Sequence, residues 1–287
     1  MPELQYDAQN QLEERVGSRF FYIEMHEKTG DFMPHFHYHS SYELFYIKRG
    51  TAKFMIGNKN YIVHEGSLLI IPPYIPHKSF YSKNQENHRI ELQIKKTSLT
   101  KNISGILDIL SKDICYTLSL KYQHNVLKLF TSIRDEFRSK RQFSEDLCLA
   151  YIHELLIFIY RNAVKCNVVT TANEVLTEKL MAYIAENYHR DITIAELSNE
   201  YHVCDSTIYK SFKKHTGLKV TDYINFTRIM NAERLMRETD LSLTEISYRC
   251  GFNNYNYFSS VFKRYKNTTP GKFIHHYKSL CSPSDSH

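Results

Sequence analysis

The stretch Asp191–Gly217, "DITIAELSNEYHVCDSTIYKSFKKHTG", returns in altered form at Asp240–Asn267 as "DLSLTEISYRCGFNNYNYFSSVFKRYKN". Ile194, Glu196 and Leu197 match Leu243, Glu245 and Ile246 at an offset of 49, while Phe212, Lys213 and Lys214 match Phe262, Lys263 and Arg264 at an offset of 50. One residue is gained in the turn of the second copy, beside Gly251. An internal repeat of this length means one supersecondary unit used twice. Each copy reads as helix, tight turn, helix. Thr193 and Ser242 can cap the first helices through their hydroxyls. Cys204 stands where a capping oxygen would be preferred in copy one, with Asp205 as the expected substitute.

The second helix of each copy turns apolar residues inward (Ile208 and Phe212; Phe258 and Phe262). Its other face shows Ser206, Thr207, Tyr209, Lys210 and Lys213, or Tyr255, Asn256, Ser259, Ser260 and Lys263. A short polar face flanked by cations, with a helix N-terminus toward phosphate, is what a major-groove reader needs. Any small helical bundle contains one such turn; two copies with the same polar face point to double-stranded DNA. Between them, "VTDYINFTRIMNAERLMRETD" reads as a stiff connecting helix, with Tyr223, Ile224, Ile229 and Leu235 available for packing. The charge balance agrees. The chain carries +6 overall, and Asp205–Leu280 holds thirteen Lys and Arg against six Asp and Glu. Basic excess of this kind suits a polyanionic partner.

Working outward, "KCNVVTTANE" has no period and reads as a linker, residues 165–173. Before it, "NVLKLFTSIRDEFRSKR" and "DLCLAYIHELLIFIYRNAV" have helical periods. The second is apolar around more of its circumference, so one side is expected against a partner subunit through Leu155, Phe158 and Ile159. From about Phe20 to Lys95 the runs "RFFYIEM", "YELFYIKR", "AKFMIG", "KNYIVHEG", "SLLIIPP" and "HRIELQI" read as short strands of a sandwich or small barrel. After Thr97 the strand pattern stops. The expected fold class is therefore α+β with two domains: an N-terminal arm (1–18), a β-barrel (19–97), a helical dimerisation segment (98–164), the linker, a tandem helix-turn-helix domain (174–279) and a tail (280–287).

At 287 residues the chain is long enough for two cores. No apolar run reaches bilayer-spanning length, and the acidic start "MPELQYDAQNQLEER" is unlike a secretory signal. The six cysteines form no CxxC pair, which argues against a zinc ribbon or a disulfide framework and suits a reducing cytoplasm.

The stretch "HFHYHSSYELFYIKRG" adds a second chemistry. His35, His37 and His39 alternate, and Glu43 follows four residues later. In one unbroken strand these would share a face. Imidazole and carboxylate also suit zinc, manganese or iron.

The C-terminal part resembles the AraC family of bacterial transcription regulators, through "IAELSNEYHVCDSTIYKSFKKHTG", "RIMNAERLM" and "ISYRCGFNNYNYFSSVFKRYKNTTPGKF". The last stretch carries Ile246, Gly251, Phe252, the pair Tyr257–Phe258, Phe262, Lys263 and Pro270. The resemblance implies a non-enzymatic, effector-controlled regulator, an activator working with RNA polymerase. It implies base reading by Ser206, Tyr209 and Lys210, and by Tyr255, Asn256 and Ser260.

The N-terminal half resembles the cupin-type sensor barrel of many such regulators. "HYHSSYELFYIKRG" and "GSLLIIPPYIPH" fit the two cupin elements, although Tyr74 and Tyr81 stand where the second usually has glycine and asparagine. His37, His39, Glu43 and His77 occupy the positions that bind metal in cupin enzymes. Three readings stay open: a polar framework at the barrel mouth; a pocket in which His35, His37, His39, Glu43 and His77 bind a small effector without cofactor; or a divalent metal on the last four. The pocket reading leads, with a carbohydrate as effector, because the chain has 22 Tyr and barrels of the resembled family often bind sugars. A cupin enzyme is the competing class. The arm is expected to fold over the filled barrel and carry the switch.

Overall fold

The computed structural model describes residues 20–29, 36–80, 86–166 and 172–281. The arm at 1–18, His35, the centre of the linker and the end of the tail lie outside them. The chain forms two compact units, divided between residues 169 and 170.

Among its described residues the N-terminal unit holds nine strands: β1 Phe21–Thr29, β2 Tyr42–Arg49, β3 Thr51–Ile56, β4 Lys59–His64, β5 Ser67–Ile71, β6 His77–Phe80, β7 Glu86–Ile94, β8 Cys115–Thr117 and β9 Val164–Lys165. They make one antiparallel sheet in the order β1-β7-β2-β5-β8-β9 and another in the order β4-β3-β6. Side chains alternate along a strand, so each strand of the larger sheet feeds two cores. Leu44, Tyr46, Leu68, Ile70, Ile90, Leu92 and Ile94 face a helical layer. Phe45, Ile47, Leu69 and Ile71 meet Ala52, Phe54, Ile56, Tyr61 and Val63 between the sheets. With both faces covered, these strands read as continuous apolar runs, which is why "SLLII" is buried at every position.

The helical layer is α1 Lys101–Leu110, α2 Leu120–Ser139 and α3 Ser144–Asn162. Two expectations need correction here. Strands do occur after Thr97, since β8 pairs with β5 and then with β9, which takes Lys165 out of the linker. They are two and three residues long, too short to show a period. Leu155 and Ile159 are fully buried in the same core as the sheet, with Phe158 edge-on to Tyr122 at 5.7 Å between ring centroids. They belong to the domain's own interior because α3 is covered by α1, α2 and the sheet at once.

The C-terminal unit is helical: α4 Ala172–Asn187, α5 Ile194–Tyr201, α6 Asp205–Thr216, α7 Val220–Glu238, α8 Leu243–Arg249, α9 Tyr255–Lys266 and α10 Pro270–Cys281. Helix α4 starts inside the stretch expected as linker. Both first-helix caps form: Thr193 Oγ1 accepts from Glu196 N–H, and Ser242 with Glu245 makes a reciprocal capping box. Asp205 does not act as the cap of α6. Its carboxylate accepts from Ser198 Oγ and ties α6 to α5, while Cys204 holds the N-cap position without a side-chain cap bond. Gly251 sits at φ 81°, and an added Cβ would lie 2.6 Å from the Tyr188 carbonyl oxygen. Only glycine fits that turn.

Leu155→Ala is expected to destabilise the N-terminal unit by about 2–5 kcal/mol through lost burial and a residual cavity. Urea unfolding of the full chain should show this as an earlier first transition, with the association state unchanged.

Candidate functional site

The histidine cluster is built from three pieces of chain. Residues 36–43 are not one strand. His37 pairs with His77 as an isolated antiparallel bridge, by backbone bonds of 3.1 and 2.9 Å. The chain then turns at Ser40–Ser41 before β2 begins at Tyr42. The turn brings His39 back so that its Nε2 lies 2.8 Å from Glu43 Oε2. Opposite, Tyr74 N–H donates to the His39 carbonyl at 2.9 Å, and Tyr74 takes φ 58° at the position where the cupin pattern has glycine. Glu43 projects from the larger sheet and His77 from the smaller one. His77 Nε2 is 3.0 Å from the same Oε2, so one carboxylate oxygen bridges the two sheets.

All four residues are buried, from 8% exposed at His37 to 0% at Glu43, and one ligand atom from each lies within 4.8 Å of the others. Burial opposes charge on Glu43, but the two imidazoles outweigh it and hold the carboxyl well below its usual range. Burial likewise opposes protonation of His39; the Glu43 carboxylate prevails and raises it. The outer ring nitrogens are also fixed. His39 Nδ1 donates to the Ser41 carbonyl at 3.1 Å, and His77 Nδ1 to the Ile75 carbonyl at 2.8 Å.

Sequence reading missed the continuation of this polar interior on β7. Gln93 lies opposite Glu43 in the register and reaches both Glu43 Oε1 and Glu91 Oε1 at 3.4 Å. Glu91 is 1% exposed, and burial together with Glu43 raises its carboxyl above the usual range. Arg89 is 3% exposed, its guanidinium 5.8 Å from the Phe45 ring centre. The signal was present: in "HRIELQI" Arg89, Glu91 and Gln93 alternate with Ile90, Leu92 and Ile94, and a strand apolar on one face must put the others somewhere. Next to a buried Phe45 on β2, that place is interior.

In the C-terminal unit every residue expected to touch DNA is found on the outer face of α6 or α9. Ser206, Thr207, Tyr209, Lys210 and Lys213 are exposed, while Ile208 and Phe212 are fully buried. On α9, Asn256, Ser260 and Lys263 are exposed, Tyr255 and Ser259 half-buried, and Phe258, Val261 and Phe262 are inside. Asn254 Oδ1 caps α9 by accepting from Tyr257 N–H at 2.8 Å.

Helix α7 is tied to the segment after α4 and to α9 through buried charge. Arg228 donates to the carbonyls of Tyr188 and Arg190, each at 2.9 Å, and lies 5.5 Å from the Phe252 ring centre. Glu233, fully buried, binds Lys266 of α9 at 2.5 Å and Arg237 at 2.8 Å. Arg237 in turn lies over the rings of Phe273 and Tyr277 of α10.

Comparison with known proteins matches both halves. An AraC-like ligand-binding domain model matches residues 20–141, and a helix-turn-helix domain model matches residues 197–276. The transcriptional activator RhaS of Enterobacter sp. (strain 638) is 23% identical over 234 residues, covering 79% of this chain and 83% of the relative. RhaS of Salmonella schwarzengrund is 23% identical over 243 residues, covering 82% and 85%. Among solved structures, ToxT from Vibrio cholerae aligns over 90% of this chain and 98% of its own, at 18% identity and a TM-score of 0.37. The DNA-binding domain of AdpA in complex with a target DNA aligns over 36% of this chain and 93% of its own, at 22% identity and a TM-score of 0.35.

Glu233→Ala removes the carboxylate paired with Lys266, which is 3% exposed. Breaking a buried pair from one side costs about 3–5 kcal/mol. Replacing Glu233 and Lys266 together by Met should recover most of that loss in the same urea-unfolding measurement.

Proposed function

The chain belongs to the AraC family of transcription regulators, a DNA-binding half joined to a ligand-binding half, and on that premise we propose how each half works. The observation that carries the first part is the pair of outward faces on α6 and α9, each polar, each flanked by lysine, each backed by buried aromatic or aliphatic residues. Ser206, Thr207, Tyr209, Lys210 and Lys213 read one major-groove segment, and Tyr255, Asn256, Ser259, Ser260 and Lys263 read the next. The nineteen residues of α7 make a spacer of about 28 Å at 1.5 Å per residue. One turn of B-DNA is about 34 Å, so both faces can reach one side of a duplex. Activation in concert with RNA polymerase is the favoured output, supported by relatives described as activators.

The effector site is the polar interior around Glu43. Carboxylates, imidazoles, Gln93 and Arg89 beside Phe45 form a lining suited to a hydroxyl-rich ligand, so a carbohydrate is the first class to test. The protein works as a homodimer in the cytoplasm in this reading. With Leu155 and Ile159 buried, the exposed apolar residues of the 98–164 segment, Leu120, Phe143 and Leu147 with Ile109, Tyr160 and Val164, are what it offers for self-association.

A second reading has an observation of its own. A carbonyl oxygen only accepts, so the Ser41 and Ile75 carbonyls oblige both Nδ1 atoms to carry hydrogen. Each Nε2 then turns a lone pair toward Glu43 Oε2 at 2.8 or 3.0 Å. Two acceptors cannot face a third without a proton or a cation between them. One divalent ion supplies what two added protons would, with the same net charge. Backbone carbonyls on Nδ1 are also the usual outer support of metal-binding histidines. Ligand atoms around a first-row ion with bonds of about 2.0–2.2 Å lie roughly 3–4 Å apart, so a spread within 4.8 Å closes by small side-chain movements. His37, His39, Glu43 and His77 would hold the ion; His35 lies outside the described residues.

Gel shifts with upstream DNA of the protein's own operon test the first half. Lys210→Ala should weaken binding and Asn256→Ala should relax sequence preference, each by about 1–3 kcal/mol for a base contact. Uniform binding to unrelated DNA would end the sequence-specific reading. Elemental analysis of purified protein decides between the effector readings. About one equivalent of metal per chain, lost in His39→Ala, establishes the ion. Metal-free protein that binds a sugar by calorimetry establishes the carbohydrate.

A further inference from the structure

Two cysteines that neither reading uses stand opposite each other at the edge of the larger sheet. Tyr116 pairs with Lys165 and Thr117 with Val164, and the same register places Cys115 against Cys166. Cys166 N–H donates to the Cys115 carbonyl at 3.0 Å, which extends the ladder to this pair. Directly opposed residues of an antiparallel pair share a face, with Cα atoms about 4.5–5.5 Å apart. A disulfide accepts about 4.4–6.8 Å. Cys115 belongs to the core between the sheets, and Cys166 packs against that core while part of it reaches solvent.

Three further contacts hold the pair in place. Lys165 Nζ lies 2.8 Å from Asp113 Oδ2. Cys115 N–H donates to the Asp113 carbonyl at 2.7 Å, and Ile70 N–H to the Ile114 carbonyl at 2.8 Å. Ile114 between them takes φ 62°, a conformation that a β-branched residue adopts only where its surroundings impose it. The backbone is thus bent to bring this thiol to the ladder's end.

We infer that Cys115 and Cys166 are a reversible oxidation site that closes to an intramolecular disulfide. With glutathione disulfide as oxidant, the more accessible Cys166 thiolate attacks one glutathione sulfur. The glutathione S–S bond breaks, one glutathione thiolate leaves, and a mixed disulfide forms on Cys166. The Cys115 thiolate then attacks the Cys166 sulfur and expels the second glutathione. Two protein S–H bonds are lost, one protein S–S bond is made, and the oxidant is reduced to two glutathione thiols that take up the two protons. Burial pushes the Cys115 thiol up, which makes this second step the slow one. Closure pins residue 166, the first after β9 as the chain leaves for the DNA-binding unit, to a strand of the barrel. Cytosolic disulfides are transient and redox-sensing more often than structural. The inference is independent of which effector occupies the Glu43 site.

The test uses the full chain carrying Cys204→Ser. Cys204 is exposed and its thiol is drawn down to about 7 by the Ser206 and Thr207 hydroxyls, so it would otherwise collect glutathione. Glutathione disulfide should lower the count of alkylatable thiols from five to three. A non-reducing peptide map should show one linked pair, containing Cys115 and Cys166, 2 Da lighter than its reduced peptides. The oxidised form should melt several degrees higher than the reduced one, and dithiothreitol should reverse both changes. Cys166→Ser, at the more exposed position, should abolish the linked pair without needing the core substitution. If Cys115 and Cys166 both remain alkylatable, or if the linked pair contains any other cysteine, the inference is overturned.

Discussion

A charged side chain inside a helical core is tolerated only where its partners are fixed, and α7 carries two. Arg228 takes the carbonyls at the end of the α4 region, and Glu233 takes Lys266 of α9. Misplacing α7 by even one residue would leave a buried guanidinium and a buried carboxylate without partners, at several kcal/mol each. Apolar packing alone would permit such a slip, because neighbouring helix faces differ little in hydrophobicity. These two buried charges, one hydrogen-bonded to backbone carbonyls and one ion-paired, therefore add a register that volume alone does not set. Gly251 belongs to the same constraint, since its close approach to Tyr188 lets Phe252 lie beneath Arg228.

In the other unit the equivalent constraint is Glu43. It crosses between the sheets, meeting His39 from the turn before β2 and His77 from β6. Buried polar groups are costly unless satisfied, so this arrangement both closes the open end of the sandwich and fixes where the imidazoles point. The same cost keeps Gln93 and Glu91 in a connected set. A wholly apolar interior would avoid this cost; the polar rows on β2 and β7 place hydrogen-bonding groups there instead.

The helical half was almost wholly legible because its signals are local. Caps at Thr193 and Ser242, the 49-to-50-residue repeat and the alternation of buried and outer positions on α6 and α9 are all written within a few turns of chain. The barrel was legible only as far as its long strands. His35 to Glu43 alternates like a strand, yet the Ser40–Ser41 turn breaks it, and His39 reaches Glu43 because of the break. Leu155 and Ile159 looked like surface for a partner because a helix buried on two sides has the same pattern whether its second neighbour is another subunit or its own α1. Strands β8 and β9 owe their existence to the edge of β5, a tertiary fact, and Cys115 and Cys166 meet only through them. Asp205 was misread as a cap because a carboxylate beside an N-terminus also suits a tether, and Ser198 lies within reach.

The sheet order gives these observations a direction. Glu43 lies on β2, β2 bonds to β5, β5 to β8, and β8 to β9, whose last residue precedes Cys166. Glu43 and the point where the chain leaves the unit are thus joined by a continuous run of hydrogen-bonded strands. An effector shifts an equilibrium only by its difference in affinity for two arrangements, so a signal carried along that run needs an element with two. The long central strands are poor candidates, being buried on both faces and paired throughout. The β8–β9 ladder is two to three residues long, follows a left-handed Ile114 and ends in a thiol pair that can exist open or closed. It is the part of the run least secured by burial, since both residues of β9 are exposed.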